Sequence, residues 1–279
     1  MSRNDLERTG ATPSADASAQ NSGKLEFVTP TEFVELPSKG RGYPVGHPLH
    51  QQEVVEIRFM TAKDEDILSS QTLLKKGIAL ERFMQNILVN KKIKTDTLLS
   101  GDRNAIIIAA RKSGYGPNYD TKVQCPACGE TSNFSFDLDN PILKESQIND
   151  ELGISTTSDG TFIVTAPLSG MNIELRLLTG KEEMKFADKL RNRKKKKLAD
   201  AAISDQLKLM IVSVQGQKDP GVVNAYVNSL PTQDSRYLRQ AYKVISPDVR
   251  IVEEFECPSC DHMQELEVSF GADFFWPDR

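Results

Sequence analysis

The chain has 279 residues, 38% of them hydrophobic and 27% charged, with a net charge of −4. That length suits about two domains, and so small a net charge selects no class of partner. The longest apolar run, Ala105-Ile106-Ile107-Ile108-Ala109-Ala110, is too short to span a bilayer, and the first residues lack the apolar core of a signal peptide. The sequence therefore predicts no membrane span and a protein made in a reducing cytosol.

Residues 1–23 are rich in Ser, Ala, Thr, Asn and Gly and offer almost nothing to bury, which predicts a disordered tail. A first domain is expected over residues 24–140. Glu26-Phe27-Val28 and Phe33-Val34-Glu35-Leu36 read as short strands or an extended arm. Lys39-Gly40-Arg41-Gly42-Tyr43-Pro44 reads as a loop. Glycines beside Lys and Arg could cradle a phosphate, but no helix obviously follows, and a flexible hairpin loop is the simpler reading. From Glu53 to Met60 the residues alternate, placing Val55, Ile57 and Phe59 on one strand face. Thr61 then suits a helix N-cap, with Asp64 and Glu65 in the first turn where the dipole favours acids. Past Gly77, Ile78, Leu80, Phe83, Met84, Ile87 and Leu88 form a second helical face. Asp102 caps or opens another helix, in which Ala105, Ile106, Ile108 and Ala109 pack. Phe134, Phe136 and Leu138 alternate as a strand. Residues 141–159 are polar and turn-rich and read as a linker, leaving 160–279 for a second domain.

All four cysteines lie in two copies of one motif, Cys125-Pro126-Ala127-Cys128 and Cys257-Pro258-Ser259-Cys260. Each copy sets two thiols at one tight turn, with proline presetting the backbone. Backbone N–H groups in such a knuckle stabilise thiolate, the form that binds metal. Four thiolates make the closed tetrahedral ligand set of a structural zinc, with no position left open for catalysis. Zinc ribbons normally separate their pairs by roughly 15–20 residues, so sequence distance alone does not join these two. A redox pair and two short disulfides are the alternatives. Both copies are followed by alternating residues rather than by a helix, which favours shared zinc.

The second half can be laid on the first. Val34-x-x-Pro37-x-x-Gly40 matches Val164-x-x-Pro167-x-x-Gly170 at an offset of 130. Arg58-x-x-Thr61-x-Lys63 matches Arg176-x-x-Thr179-x-Lys181 at 118. Leu98, Asp102, Ile106 and Ala109 match Leu230, Asp234, Leu238 and Ala241 at 132, and the cysteines keep that offset. An internal repeat predicts two α+β domains, each with a β-hairpin, helices and a zinc-ribbon-like knuckle. Related domains usually meet about a pseudo-twofold axis, and such an axis would bring the knuckles to one ion.

The run Arg191-Asn192-Arg193-Lys194-Lys195-Lys196-Lys197 invites a nucleic-acid or acidic-protein partner. Glu182, Glu183 and Asp188 precede it, Asp200 follows, and no aromatic is interleaved for base stacking, so a solvated helix face is favoured and nucleic acid disfavoured. His47 and His50 read as loop residues, and His262 as a spare ligand beside four sufficient thiols. No histidine has an obvious nucleophile or carboxylate partner, and no phosphate or dinucleotide fingerprint is present, so no enzyme is predicted. Phe274-Phe275-Trp276 must fold back over the chain's own core or dock into a neighbour.

The stretch Val34-Glu35-Leu36-Pro37-Ser38-Lys39-Gly40-Arg41-Gly42-Tyr43-Pro44, with Arg58-Phe59-Met60-Thr61, Asp102, Tyr115-Gly116-x-x-Tyr119 and the Cys125–Cys128 knuckle, resembles the baseplate hub subunit and hub-assembly family of T-even-like contractile-tailed phages. The likeness is clearest over residues 30–140. It implies a role at the tail baseplate without catalysis, assembly in the host cytoplasm, and other tail proteins, or further copies of itself, as partners. The competing expectation is a zinc-ribbon regulator that binds nucleic acid through Arg191–Lys197.

Overall fold

The computed structural model describes residues 28–145, 153–195 and 202–276. The expected N-terminal tail, Glu26-Phe27, the middle of the expected linker, and Lys196 and Lys197 of the basic run lie outside the described residues. Within them the fold is mixed α and β, with eight α-helices and several small antiparallel sheets. No helix among the described residues is long and apolar enough to cross a membrane.

Strands β1 (Thr31–Glu35) and β2 (Val54–Arg58) pair antiparallel, with Val34 opposite Val55 on the buried face. The long loop between them closes at Gly40, whose φ of +69° and near approach to the Gln52 backbone leave no room for a side chain. Three helices follow, α1 (Ala62–Ser69), α2 (Gln71–Lys75) and α3 (Ala79–Ile87). Helix α4 (Ser100–Tyr115) then crosses the centre, burying Ile106 and Ile107. Strands β3 (Asn118–Gln124) and β4 (Thr131–Asp137) make a hairpin around the first knuckle.

In the stretch read as a linker, β5 (Ile142–Lys144) and the short β6 (Ser155–Thr156) carry strand structure. Strand β6 opens a four-stranded sheet with β7 (Phe162–Thr165), β8 (Asn172–Leu175) and β9 (Ile211–Val214). Helices α5 (Gly180–Lys195) and α6 (Ala202–Met210) stand between β8 and β9. Helices α7 (Pro220–Ser229) and α8 (Thr232–Ile245) and strand β10 (Asp248–Arg250) lead to the hairpin of β11 (Val252–Glu256) and β12 (Met263–Glu267) around the second knuckle.

Thr61 is the N-cap of α1, as the sequence predicts, and it does more than cap. Its N–H and hydroxyl both donate to Asp64 Oδ2 at 2.9 and 2.8 Å, while Arg58 forks onto both Asp64 oxygens at 2.7 and 2.9 Å. The same arrangement recurs at the start of α5, where the Thr179 N–H donates to Glu182 Oε2 at 3.0 Å and Arg176 forks onto Glu182 at 2.8 and 2.9 Å. A second feature also occurs twice. The buried carboxylate of Asp102 accepts from the Ser38 N–H at 2.9 Å, and that of Asp234 accepts from the Leu168 N–H at 2.8 Å. Each ties a helix to the loop that follows a strand of its own half. Asp102 thus stands in the first turn of α4, but its carboxylate is spent on a distant loop rather than on its own helix end.

Burial pushes the Asp64 carboxyl up, but bonds from Arg58, Thr61 and Asn86 more than offset this and hold its pKa at about 2. A carboxyl depressed in the fold stabilises above its usual range and loses that contribution as pH falls from about 4 through about 2. Urea denaturation should therefore show about 2 kcal/mol of acid-linked loss in the wild type that Asp64→Asn does not show. Equal loss in both would remove Asp64 from the acid response.

The two ends of the fold cross over. Strand β5 pairs with β10, about a hundred residues further on. In return, Phe274 and Phe275 are buried against the first half. Phe275 lies edge-on to Phe83 at 5.0 Å, and Phe274 sits 4.9 Å from Tyr119, with its carbonyl accepting from Arg111 Nε at 3.3 Å. The aromatic terminus therefore covers the chain's own core.

Candidate metal centre

Each knuckle is a turn closed by its own backbone. Cys125 N–H donates to the Glu130 carbonyl at 2.8 Å, and Gly129 N–H returns to the Cys125 carbonyl at 2.9 Å. In the second knuckle, Cys257 N–H donates to the His262 carbonyl at 2.9 Å and Asp261 N–H to the Cys257 carbonyl at 3.0 Å. Gly129 (φ +79°) and Asp261 (φ +55°) occupy the same left-handed position, which Gly and Asp tolerate better than branched residues do.

The hairpins bring all four predicted sulfurs to one place, every Sγ within 4.8 Å of the others. The short approaches run across the knuckles: Cys125 to Cys260 at 3.7 Å and Cys128 to Cys257 at 3.7 Å. A tetrahedron with Zn–S bonds of about 2.3 Å has edges of about 3.8 Å, so these two separations match it. All four cysteines are free thiols rather than disulfides; Cys125 and Cys257 are buried and Cys128 and Cys260 exposed. Beneath them, Cys125, Phe255 and Cys257 form a small buried cluster with Val123, Phe134 and Leu266 against it, and Phe134 meets Phe255 edge-on at 5.6 Å. Asp137 N–H also donates to Glu253 Oε1 at 2.6 Å, a second tie between hairpins.

The thiols are not equivalent. The Cys128 N–H aimed at the Cys125 sulfur, helped by the Ala127 N–H and neighbouring thiols, lowers Cys125 to about 6 against the opposing effect of burial. The His262 N–H favours thiolate at Cys260, yet the thiols of Cys128, Cys257 and Cys125, together with burial, push it up to about 12. Sulfurs this close cannot all ionise unless a cation sits among them, and a divalent ion bound by thiolates supplies that charge. The donor set could hold a metal ion.

His262 is not part of this group. His47 and His50 do sit in the long β1–β2 loop, where His47 Nε2 meets Thr97 Oγ1 at 2.9 Å and His50 Nδ1 meets the Tyr43 carbonyl at 2.7 Å. Sequence reasoning missed Phe255 as part of the centre. The clue was available, since Phe255 lies 132 positions after Val123 and Leu266 the same distance after Phe134. The basic run is partly neutralised: Asp205 takes Arg193 at 2.8 Å, and Lys189 just upstream at 3.0 Å, while Asp188 takes Arg191 at 3.5 Å.

A family model described as T4 bacteriophage base plate protein matches residues 29–276, a span that includes both knuckles and both Thr-acid helix starts. The chain belongs to that family. No curated protein and no solved structure matches it. Membership makes this a structural protein of the phage tail baseplate, one that meets other tail proteins.

Proposed function

We propose that this baseplate protein works in the hub region by protein–protein contact, without catalysis, and that one structural zinc held by Cys125, Cys128, Cys257 and Cys260 joins its two halves. The observation that carries the zinc reading is the crossed pairing of sulfurs from hairpins 132 positions apart. In a twofold interface, if residue i meets j then j's counterpart meets i's. Cys125–Cys260 and Cys257–Cys128 obey that rule. The repeated acid-to-loop bonds and Thr-acid helix starts support a duplication with halves at 24–140 and 160–279, and so does the exchange of ends. Zinc is the ion we favour because four thiolates at tetrahedral edges suit it, and host cytoplasm keeps such thiols reduced during assembly. The hub assignment rests on the likeness of residues 30–140. The nucleic-acid reading draws less support, since Asp205 takes up two cations next to or within the run.

Native mass spectrometry of the purified chain should find one zinc per molecule, lost on Cys125→Ser or Cys257→Ser alike. Two ions per chain, or full retention after either substitution, would refute a shared site.

A further inference from the structure

The fold leaves two exposed surfaces of opposite character. The outer face of the β1–β2 sheet carries Phe33, 70% exposed, and Val54, 42% exposed. Around them stand Glu35, Glu53 and Glu56, none in an ion pair among the described residues. The nearby cations, Lys39 and Arg58, are taken up by Glu145 and Asp64, so this is an apolar patch framed by unpaired acids.

Helix α5 is the converse. Beyond Gly180 none of its described residues is fully buried, while Lys181, Glu183, Lys189 and Arg193 tie it to Asp96, Ser100 and Asp205. One exposed face runs Met184, Asp188, Arg191 and Lys195, with Lys185 beside it; Met184 is 40% and the Arg191 side chain 69% exposed, Arg191 reaching Asp188 at 3.5 Å. Over Gly180–Lys195 the helix has seven Lys and Arg against three acids, in a chain whose net charge is −4. An exposed methionine followed by cations complements an exposed phenylalanine framed by glutamates.

We propose that these surfaces meet between copies of this chain, α5 of one molecule lying on the β1–β2 face of the next. The two patches differ, so the contact is heterologous and propagates into a ring or an open chain rather than closing as a dimer. Neither patch includes a cysteine, so the idea stands apart from the zinc reading.

The test uses two full-length variants and sedimentation of the protein as purified. Variant one is Glu35→Lys with Glu53→Lys; variant two is Arg191→Glu with Lys195→Glu. Wild type should associate with rising concentration and fall apart at about 1 M salt, where exposed charges are screened. Each variant alone carries two patches of like sign and should self-associate at least about tenfold more weakly. Mixed in equal amounts, every contact is again between opposite signs, and assembly should return. All positions changed are exposed, so unchanged circular dichroism and zinc content show that the fold is intact. A wild type that stays monomeric, or a mixture that does not regain assembly, overturns the proposal. So does duplex DNA retention lost with variant two while self-association is unaffected, which would assign α5 to nucleic acid.

Discussion

Stripping the proposed zinc with a strong chelator should lower the melting temperature by about 10 °C or more and loosen the two knuckle hairpins first. Apparent binding free energies for structural zinc in small domains are about 10–16 kcal/mol, comparable to the whole stability of a typical protein. The main core of this chain contains none of the four cysteines, so only part of that would be lost, on the order of 5 kcal/mol. For chains of this size each kcal/mol moves the midpoint by about 2–4 °C. The loss should be local because the cluster beneath the sulfurs has little else: of its buried members, Cys125 and Cys257 are proposed ligands and Phe255 alone remains. A two-stranded hairpin is marginal on its own. Hydrogen exchange should rise across residues 118–137 and 252–267, while Ile106 and Ile107 in α4 stay protected. Cys257→Ser should reproduce the pattern, and chelation of that variant should add nothing. An unchanged melting point with the metal demonstrably removed would mean that the hairpins hold each other without it.

The cysteine cluster was legible in the sequence because its parts are local: a Cys-Pro-x-Cys turn is recognisable wherever it stands, and the constant offset suggested how two could meet. The strands at 31–35 and 54–58 and the Thr61 cap were legible for the same reason, since alternation and capping are short-range signals. What escaped is long-range. Ile142–Lys144 looks like linker because three residues flanked by polar ones have no strand pattern of their own; their order comes from β10. Ile211–Val214 is hidden behind the charged α5–α6 region and is identified as a strand only by its place beside β8. The Phe274–Phe275 pair announced burial but not its address, which lies on α3 and β3 of the other half.

Asp102 is the clearest case of a residue whose sequence position suggested a cap and whose role is a latch, and replacing it should be costly. Its carboxylate accepts from Ser38 N–H at 2.9 Å, Ser38 Oγ–H at 2.6 Å and Tyr43 O–H at 2.8 Å, and Tyr43 in turn accepts from Leu99 N–H at 3.0 Å. Asp102→Ala leaves these buried donors without an acceptor, a loss of about 3–5 kcal/mol. Asp102→Asn keeps the shape and one acceptor, so about 1–2 kcal/mol is expected. Asp234→Ala, which strands only the Leu168 and Ser169 N–H groups, should fall between them. The pH dependence supplies the sharper test. Burial raises the Asp102 pKa above its ordinary value, outweighing the bonds from Ser38 and Tyr43. A carboxyl raised in the fold stabilises most below its usual pKa and loses that contribution as pH climbs through the raised value, because the folded chain must then hold a buried charge. The advantage of wild type over Asp102→Asn should therefore shrink as pH rises, opposite in sign to the Asp64 effect. An advantage that grows with pH in denaturant titrations would mean that the three donors bind the ionised carboxylate strongly enough to reverse the cost of burying it.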